Sequence, residues 1–410
     1  MAHFNLPLDI KALEITAQST DKNGNIILDV VSKNKHSTCH KCGKPATKPN
    51  GTAPSRLIRH LPVFDTPVYL RITPIRYACE SCDDNTTTTE QYDWCNRNSS
   101  TTKGLDDYIM RCLINSTIED VAKKECIGHK VIQLILDKQV QTQVDWSRIK
   151  SLGTIGIDEI SIKKGHQSFV TMISSKTDDD RLKVIATISG RLKEDVKSFL
   201  ESIPAELKKT VKQVCSDMYD GYVTAAIEVF GVQSLVIDRY HVSKLYRKPL
   251  DQLIIKELRR LRSTLSVEDY AKLEGMMLRK KHECLSEADK DKLALLYKHS
   301  PILKKAHSCA LRLTQIFNTH SNRKSATAKI NRWIAATMKN DLKIFDSFIT
   351  TLQKYKPYIA NYFKARKTSG FVEGLNNKIK VLKRRCYGLA KITTIFQRLF
   401  LDLQGYECYT

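Results

Sequence analysis

The sequence predicts a multidomain chain in which a mixed α/β core is interrupted by an all-α insertion and preceded by two small modules, one carrying paired cysteines and one helical. Three observations predict it. Cys39-His40-Lys41-Cys42 and Cys79-Glu80-Ser81-Cys82 sit in an N-terminal stretch of short strand-like runs and turns. Between residues 151 and 243, three apolar runs are followed by an alternation of helix and strand. From 244 to about 365 the chain reads as nearly continuous Lys- and Arg-rich helix, with acidic residues of chemical interest on both sides of it. The expected boundaries are 1–95, 96–148, 149–243, 244–365 and 366–410.

Composition narrows the partners. The chain has 410 residues and a formal net charge of +23, a surplus that favours a polyanion, above all nucleic acid, over a membrane surface. The charge lies in segments with apolar periodicity, which excludes a disordered basic tail. No apolar run approaches the roughly 18 residues of a membrane span. Met1-Ala2-His3-Phe4-Asn5 lacks the basic and apolar regions of a secretory signal. Of twelve cysteines, four form the two tight pairs and the rest are scattered, a pattern that fits a reducing cytoplasm.

The cysteine pairs are two Cys-x-x-Cys knuckles about 36 residues apart. Two intervening residues let both thiolates of a pair face one ion, and two pairs complete a tetrahedron, so Cys39, Cys42, Cys79 and Cys82 are the expected ligands of a structural Zn2+ in a zinc ribbon. His36 and His40 are close in sequence but not needed. Four buried or redox cysteines are the alternative.

Next, Thr117 followed by Glu119 and Asp120 marks a helix start, Gly128 breaks the helix, and His129 to Val140 reads as a second one. This is the outline of a helix-turn-helix, whose second helix would present His129, Lys130 and Gln133 to the major groove. An ordinary helical hairpin fits the same pattern. Val121, Ile132, Leu134, Ile135 and Leu136 are the expected apolar positions.

In the core, strands are expected at 153–158, 169–173, 184–188, 211–215 and 232–237, with helices at 193–203 and 220–230. Asp158 lies within or at the end of the first strand, Asp217 follows the fourth, and Glu373 opens a late basic helix. A carboxylate beside Lys378, Lys383, Arg384 and Arg385 makes sense where it holds a divalent cation while the cations hold phosphates. Aspartates at neighbouring strand ends can share two Mg2+ (or Mn2+) ions for phosphoryl displacement. Three unrelated surface acids are the alternative. Asp220 and Asp238 are the nearby competitors of Asp217, and Glu159 is expected on the opposite side of its strand from Asp158.

The segment Val372-Glu373-Gly374-Leu375-Asn376-Asn377-Lys378-Ile379-Lys380, followed by Lys383-Arg384-Arg385-Cys386-Tyr387-Gly388, resembles the terminal motif of the ISL3 family of bacterial insertion-sequence transposases. Similar too are Asp158-Glu159 with Lys163-Lys164-Gly165-His166, Asp217-Met218 with Tyr222, and Asp238-Arg239-Tyr240-His241-Val242. The order of modules also matches, so the resemblance covers nearly the whole chain. It implies a ribonuclease-H-like core with Asp158, Asp217 and Glu373 as its acidic triad. It implies Lys163, Lys164, Asn376, Asn377 and Lys378 as further DNA-facing residues, and an assembly of at least two copies. The implied activity is binding of the terminal inverted repeats of an element, cleavage there, and joining of the freed 3′ ends to target double-stranded DNA. A bacterial, nucleoid-associated protein of the cytoplasm is expected.

The rival is a domesticated DNA-binding regulator, which would keep the knuckles and the helix-turn-helix but need no triad. A stand-alone nuclease would need neither N-terminal module. Lys244, Arg247, Lys248, Lys256, Arg259, Arg260 and Arg262 form a second basic stretch. Trp333 beside Arg332 is expected in the core rather than stacked on a base, and His241 is expected either near the metal site or in a structural role.

Overall fold

The computed structural model describes residues 8–82, 86–161, 169–273, 285–365, 370–388 and 391–409. It divides into two compact units, Met1–Gln141 with Phe400–Thr410, and Thr142–Leu399.

The first unit begins with nine short strands: β1 (Leu13–Thr20), β2 (Ile26–Ser32), β3 (Ser37–Thr38), β4 (Pro45–Ala46), β5 (Lys48–Thr52), β6 (Arg56–Val63), β7 (Thr66–Ile72), β8 (Ile75–Ala78) and β9 (Thr87–Thr89). A four-stranded sheet has the order β1-β2-β7-β6, with β2 and β7 parallel at its centre. Val68, Leu70 and Ile72 alternate inward along β7, and Leu70 and Ile72 join Ile10, Leu13, Val30, Ile58 and Cys95 in its core. The cysteine pairs flank the smaller sheets β3-β4 and β5-β8-β9: Cys39 and Cys42 lie between β3 and β4, and Cys79 and Cys82 follow β8.

Three helices follow: α1 (Lys103–Leu113), α2 (Ile118–Glu125) and α3 (His129–Gln139). Thr102 and Thr117 cap the first two, accepting hydrogen bonds from the Leu105 and Asp120 amides at 3.2 and 3.0 Å. Leu105, Ile109, Met110, Leu113, Val121, Ile132, Ile135 and Leu136 are buried. Two details differ from the sequence expectation. Cys126, not Gly128, takes the left-handed conformation that ends α2 (φ 51°, ψ 43°), and Gly128 instead precedes the first turn of α3 in an extended conformation. Leu134 is 67% exposed, because the helical period that buries Ile132, Ile135 and Leu136 turns it outward.

The second unit is built on a mixed sheet. Its elements are β10 (Gly153–Ser161), β11 (Phe169–Lys176), β12 (Leu182–Ser189), α4 (Lys193–Glu201), α5 (Ala205–Lys209), β13 (Val211–Ser216), α6 (Asp220–Phe230) and β14 (Leu235–Ile237). The strand order is β12-β11-β10-β13-β14. The pairs β10–β11 and β11–β12 are antiparallel, and β10–β13 and β13–β14 are parallel. Central β10 is buried at nearly every position, as expected of a strand covered on both faces. The fifth strand is shorter than expected: Gly231 adopts φ +81° and the Ser234 amide closes a turn on its carbonyl at 3.2 Å, leaving only Leu235–Ile237 paired.

The helical stretch begins earlier than 244. Asp238 caps α7 (Arg239–Leu261) by accepting from the Tyr240 amide at 2.9 Å. It is followed by α8 (Val267–Leu273), α9 (Glu287–His299), α10 (Pro301–Asn318), α11 (Arg323–Lys339) and α12 (Asp346–Ala365). Trp333 is a core residue, packed edge-on against Phe345 and Phe348 with its indole N–H donating to the Cys309 carbonyl at 2.8 Å. Helix α12 returns to the sheet, where Asn361 donates to the Val232 and Leu235 carbonyls. The chain closes with α13 (Gly370–Arg385) and α14 (Ile392–Tyr409). No helix among the described residues is long and apolar enough to cross a membrane.

Candidate active site and metal centres

Parallel strands β10 and β13 are in register with Ile157 opposite Ser216. The next residue on each is an aspartate, so Asp158, still inside β10, and Asp217, the first residue after β13, occupy adjacent positions. Asp158 is only 6% exposed and its Oδ1 accepts from the Glu159 amide at 2.8 Å. Burial pushes the Asp217 carboxyl above its ordinary range, and the charges of Asp158 and Glu159 push the same way. His241 and the Tyr219 amide, which donates to Asp217 Oδ1 at 3.1 Å, partly offset that rise.

Helix α13 lies along β10. Phe371 and Val372 rest on Gly156, where an added Cβ would stand 2.9 Å from Phe371 Cε2 and 2.5 Å from Val372 Cγ2. Farther on, Asn376 Nδ2 donates to Asp158 Oδ2, and Lys383 Nζ donates to the Ser161 carbonyl at 2.9 Å. Burial lowers the pKa of that ammonium. The helix rises about 16 Å from Val372 to Lys383, and the strand advances about 16 Å from Gly156 to Ser161, so the two run in the same direction at matched pace. Glu373, half-buried, stands one turn before Asn376 and therefore beside the stretch from Gly156 to Asp158. Val372, Leu375, Ile379 and Leu382 form the buried side of the helix; Asn377 and Arg384 are exposed, and Lys378 and Arg385 are half-buried.

The neighbouring acids have other partners. Glu159 meets Arg191 at 3.2 Å, and the Arg191 guanidinium lies over the rings of Phe169 and Tyr219, 4.4 and 5.0 Å from their centroids. Arg191 lies in the short connection between β12 and α4, where no sequence motif marks it. Asp220 accepts from Lys354 Nζ and the Tyr355 hydroxyl, each at 2.6 Å, and the first of these hydrogen bonds does most to hold its carboxyl below the ordinary range. Asp238, 7% exposed, is occupied as the cap of α7.

The four cysteines form a separate centre. Among the described residues they are the one group of three or more such side chains whose ligand atoms all lie within 4.8 Å of one another; Asp158, Asp217 and Glu373 do not close to that spacing. The Sγ atoms of Cys39 and Cys82 are 3.9 Å apart, and those of Cys42 and Cys79 are 3.6 Å apart. Sulfurs about 2.3 Å from a common tetrahedral centre stand about 3.8 Å from each other, so the set fits zinc. The Cys42 and Lys41 amides hold the Cys39 thiol down at about 6, while hydrogen bonding to Cys42, burial, and the other two sulfurs push Cys82 up to about 12. Gly43, at φ +73°, turns the first knuckle so that its amide reaches the Cys39 carbonyl at 2.9 Å. His40 is held by Thr88 Oγ1 at 2.9 Å.

The DDE_Tnp_ISL3 family model, described as Transposase, matches residues 155–399, more than half of the chain and nearly all of the sheet-and-helix unit that carries Asp158, Asp217 and Glu373. The chain belongs to the ISL3 transposase family. The transposase for insertion sequence element IS1001 of Bordetella parapertussis is 25% identical over 358 residues, covering 85% of this chain and 84% of that protein. The transposase for insertion sequence element IS1557 of Mycobacterium tuberculosis, in strains CDC 1551 and H37Rv, is 21% identical over 391 residues, covering 90% and 86%.

On the N-terminal unit of this transposase, His129 and Lys130 are exposed in the first turn of α3. Gln133 is half-buried, with its amide on Asp137 Oδ1 at 2.8 Å, and exposed Leu134 adjoins it. Lys163 and Lys164 lie outside the described residues. Along α7, Lys244, Arg247, Lys248, Lys256, Arg259 and Arg262 are exposed, whereas Arg260 is bonded to Glu257 and the His299 carbonyl.

Proposed function

We propose that this transposase binds the terminal inverted repeats of its element, cuts there, and joins the freed 3′ ends to target DNA, with Asp158, Asp217 and Glu373 holding two divalent cations, Mg2+ or Mn2+. The parallel register that sets Asp158 beside Asp217 carries this reading. The donor set fits hard cations: partly or fully buried carboxylates that repel one another, and a buried Asn376 Oδ1 with no hydrogen-bond partner. Bound there, the cations would activate an attacking oxygen and stabilise the leaving oxygen of an in-line displacement. The chain's own part is to hold the carboxylates: the sheet fixes Asp158 and Asp217, and the contact of α13 with Gly156 fixes Glu373. A five-stranded mixed sheet with α6 on one face and α13 on the other supports a ribonuclease-H-like core.

On this reading Cys39, Cys42, Cys79 and Cys82 bind a structural Zn2+, and α2 and α3 form a helix-turn-helix that presents His129, Lys130 and Gln133 to the major groove. Lys163, Lys164, Asn377, Lys378, Arg384 and Arg385 contact DNA near the scissile site. At least two copies act together, because two element ends must be held. The relatives' names as transposases of insertion sequence elements support this, and the net charge of +23 supports a protein working at the nucleoid of a bacterial cytoplasm. The test is incubation of the purified chain with a plasmid carrying the element's own ends. Wild type with Mg2+ should nick at the repeat termini, and Glu373→Gln should bind the ends without cutting. Tight, specific end binding with no cutting by wild type in Mg2+ or Mn2+ overturns the reading and leaves a DNA-binding protein.

A further inference from the structure

Asn376 sits in the most distinctive motif of the sequence, where its polar amide and basic surroundings suggest a DNA contact. Its structural surroundings are different. The side chain is half-buried, and Nδ2 donates to Asp158 Oδ2. With the Glu159 amide on Oδ1, each carboxylate oxygen of Asp158 thus has one donor and keeps lone-pair capacity for another partner. The Asn376 amide cannot be reversed at no cost, since that would set its oxygen against a carboxylate oxygen. Its Oδ1 is therefore fixed on the far side of the amide, buried and without a hydrogen-bond partner. A buried amide oxygen lacking a donor calls for an ion or a water; Gln213 Oε1 and Asn361 Oδ1 also lack one, but Asn376 is the one whose amide touches Asp158. Neighbouring Asn377, by contrast, is exposed and within 3.3 Å of Lys380 Nζ.

We infer that Asn376 positions Asp158 and offers its own Oδ1 as a neutral oxygen ligand to the divalent cation that Asp158 holds, instead of contacting DNA. This rests on the proposed cation site at Asp158. One side chain then does two jobs: its N–H fixes the orientation of a charged ligand, and its carbonyl adds a hard oxygen without adding charge to a site already crowded with carboxylates. The placement on α13 also links the two ends of the core, since the helix that carries Glu373 is tied to β10 at the carboxylate it must cooperate with.

The test measures Mn2+ affinity of the full-length chain by electron paramagnetic resonance, alongside affinity for element-end DNA without metal. Asn376→Ala should weaken Mn2+ binding by about tenfold or more, as loss of a ligand-orienting group does, and leave metal-free DNA affinity unchanged. Asn376→Asp, which keeps an oxygen ligand but loses the N–H on Asp158, should bind Mn2+ more tightly than Asn376→Ala, a rescue that a purely structural role would not produce. Unchanged Mn2+ affinity in Asn376→Ala, or a loss of metal-free DNA affinity, overturns the inference. A wild-type chain that binds no Mn2+ overturns instead the cation site on which it rests.

Discussion

Asp158 and Asp217 are neighbours because Ile157 and Ser216 pair in register on the parallel strands β10 and β13. Nothing local brings them together; a one-residue slip of either strand would carry one carboxylate to the opposite face of the sheet. The same sheet gives Asp238 a different fate. It follows the paired Ile237 but turns its carboxylate onto the first turn of α7. Asp217, and not Asp238, is therefore the proposed partner of Asp158.

Gly156 is where the sheet receives the helix that carries Glu373. A methyl group there meets Val372 Cγ2 at 2.5 Å, Ser174 Oγ at 2.8 Å and Phe371 Cε2 at 2.9 Å. Ser174 and the tip of Phe371 can rotate, but buried, β-branched Val372, the nearest of the three, is stiff about χ1. Gly156→Ala should cost about 1–3 kcal/mol in denaturant melts and reduce cleavage at least about tenfold, since small displacements of reacting groups are costly, with end binding retained. Full cleavage in this variant would mean that the seat of α13 does not set the site.

Asp220 should matter for stability and not for chemistry. Its hydrogen bonds to Lys354 and Tyr355 lower its pKa from the ordinary 3.8, so its ionised form stabilises the fold above that value. The contribution is lost as the pH falls below 3.8 through the folded value. Asp220→Asn should cost about 0.5–1 kcal/mol near neutrality, allowing for solvent screening of an exposed pair. The gap from wild type should close in acid, as chemical melts across pH would show. Cleavage should be unaffected.

The four-cysteine centre should carry one zinc per chain. Metal analysis should find it, and chelation or Cys79→Ser should remove it, with collapse of the small sheets β3-β4 and β5-β8-β9, because structural zinc supplies on the order of 10 kcal/mol to such modules. A fully folded N-terminal unit without zinc would contradict the assignment.

On α3, Lys130→Ala should weaken binding to element ends and unrelated DNA alike and lower the salt-dependence slope by about 1. Gln133→Ala should cost about 1–3 kcal/mol at the specific ends alone. An unchanged slope in Lys130→Ala would take that residue off the phosphate backbone.

Much of this was legible in the chain itself because it is local. Two-residue spacing marks the knuckles, Thr117 marks a helix start, and runs such as Gly153-Thr154-Ile155-Gly156-Ile157 mark buried strands. What escaped depends on distant partners. The hydrogen bond of Asn376 to Asp158 spans 218 residues, and the pairing of Glu159 with Arg191 crosses two strands. A polar side chain in a basic helix carries no mark of such a partner. The turn before α3 misled for a different reason: glycine is the usual left-handed residue, yet Cys126 takes that conformation two residues earlier.

Asp158 and Asp217 are the proposed carboxylate pair of the reaction. The most direct measurement is Mg2+-dependent cleavage of a plasmid carrying the element's ends, comparing Asp217→Asn with Asp238→Asn. Asp217→Asn should bind the ends and not cut. Asp238→Asn should still cut, because an asparagine oxygen can keep the cap of α7. Cutting that survives Asp217→Asn and disappears in a folded Asp238→Asn would contradict that assignment.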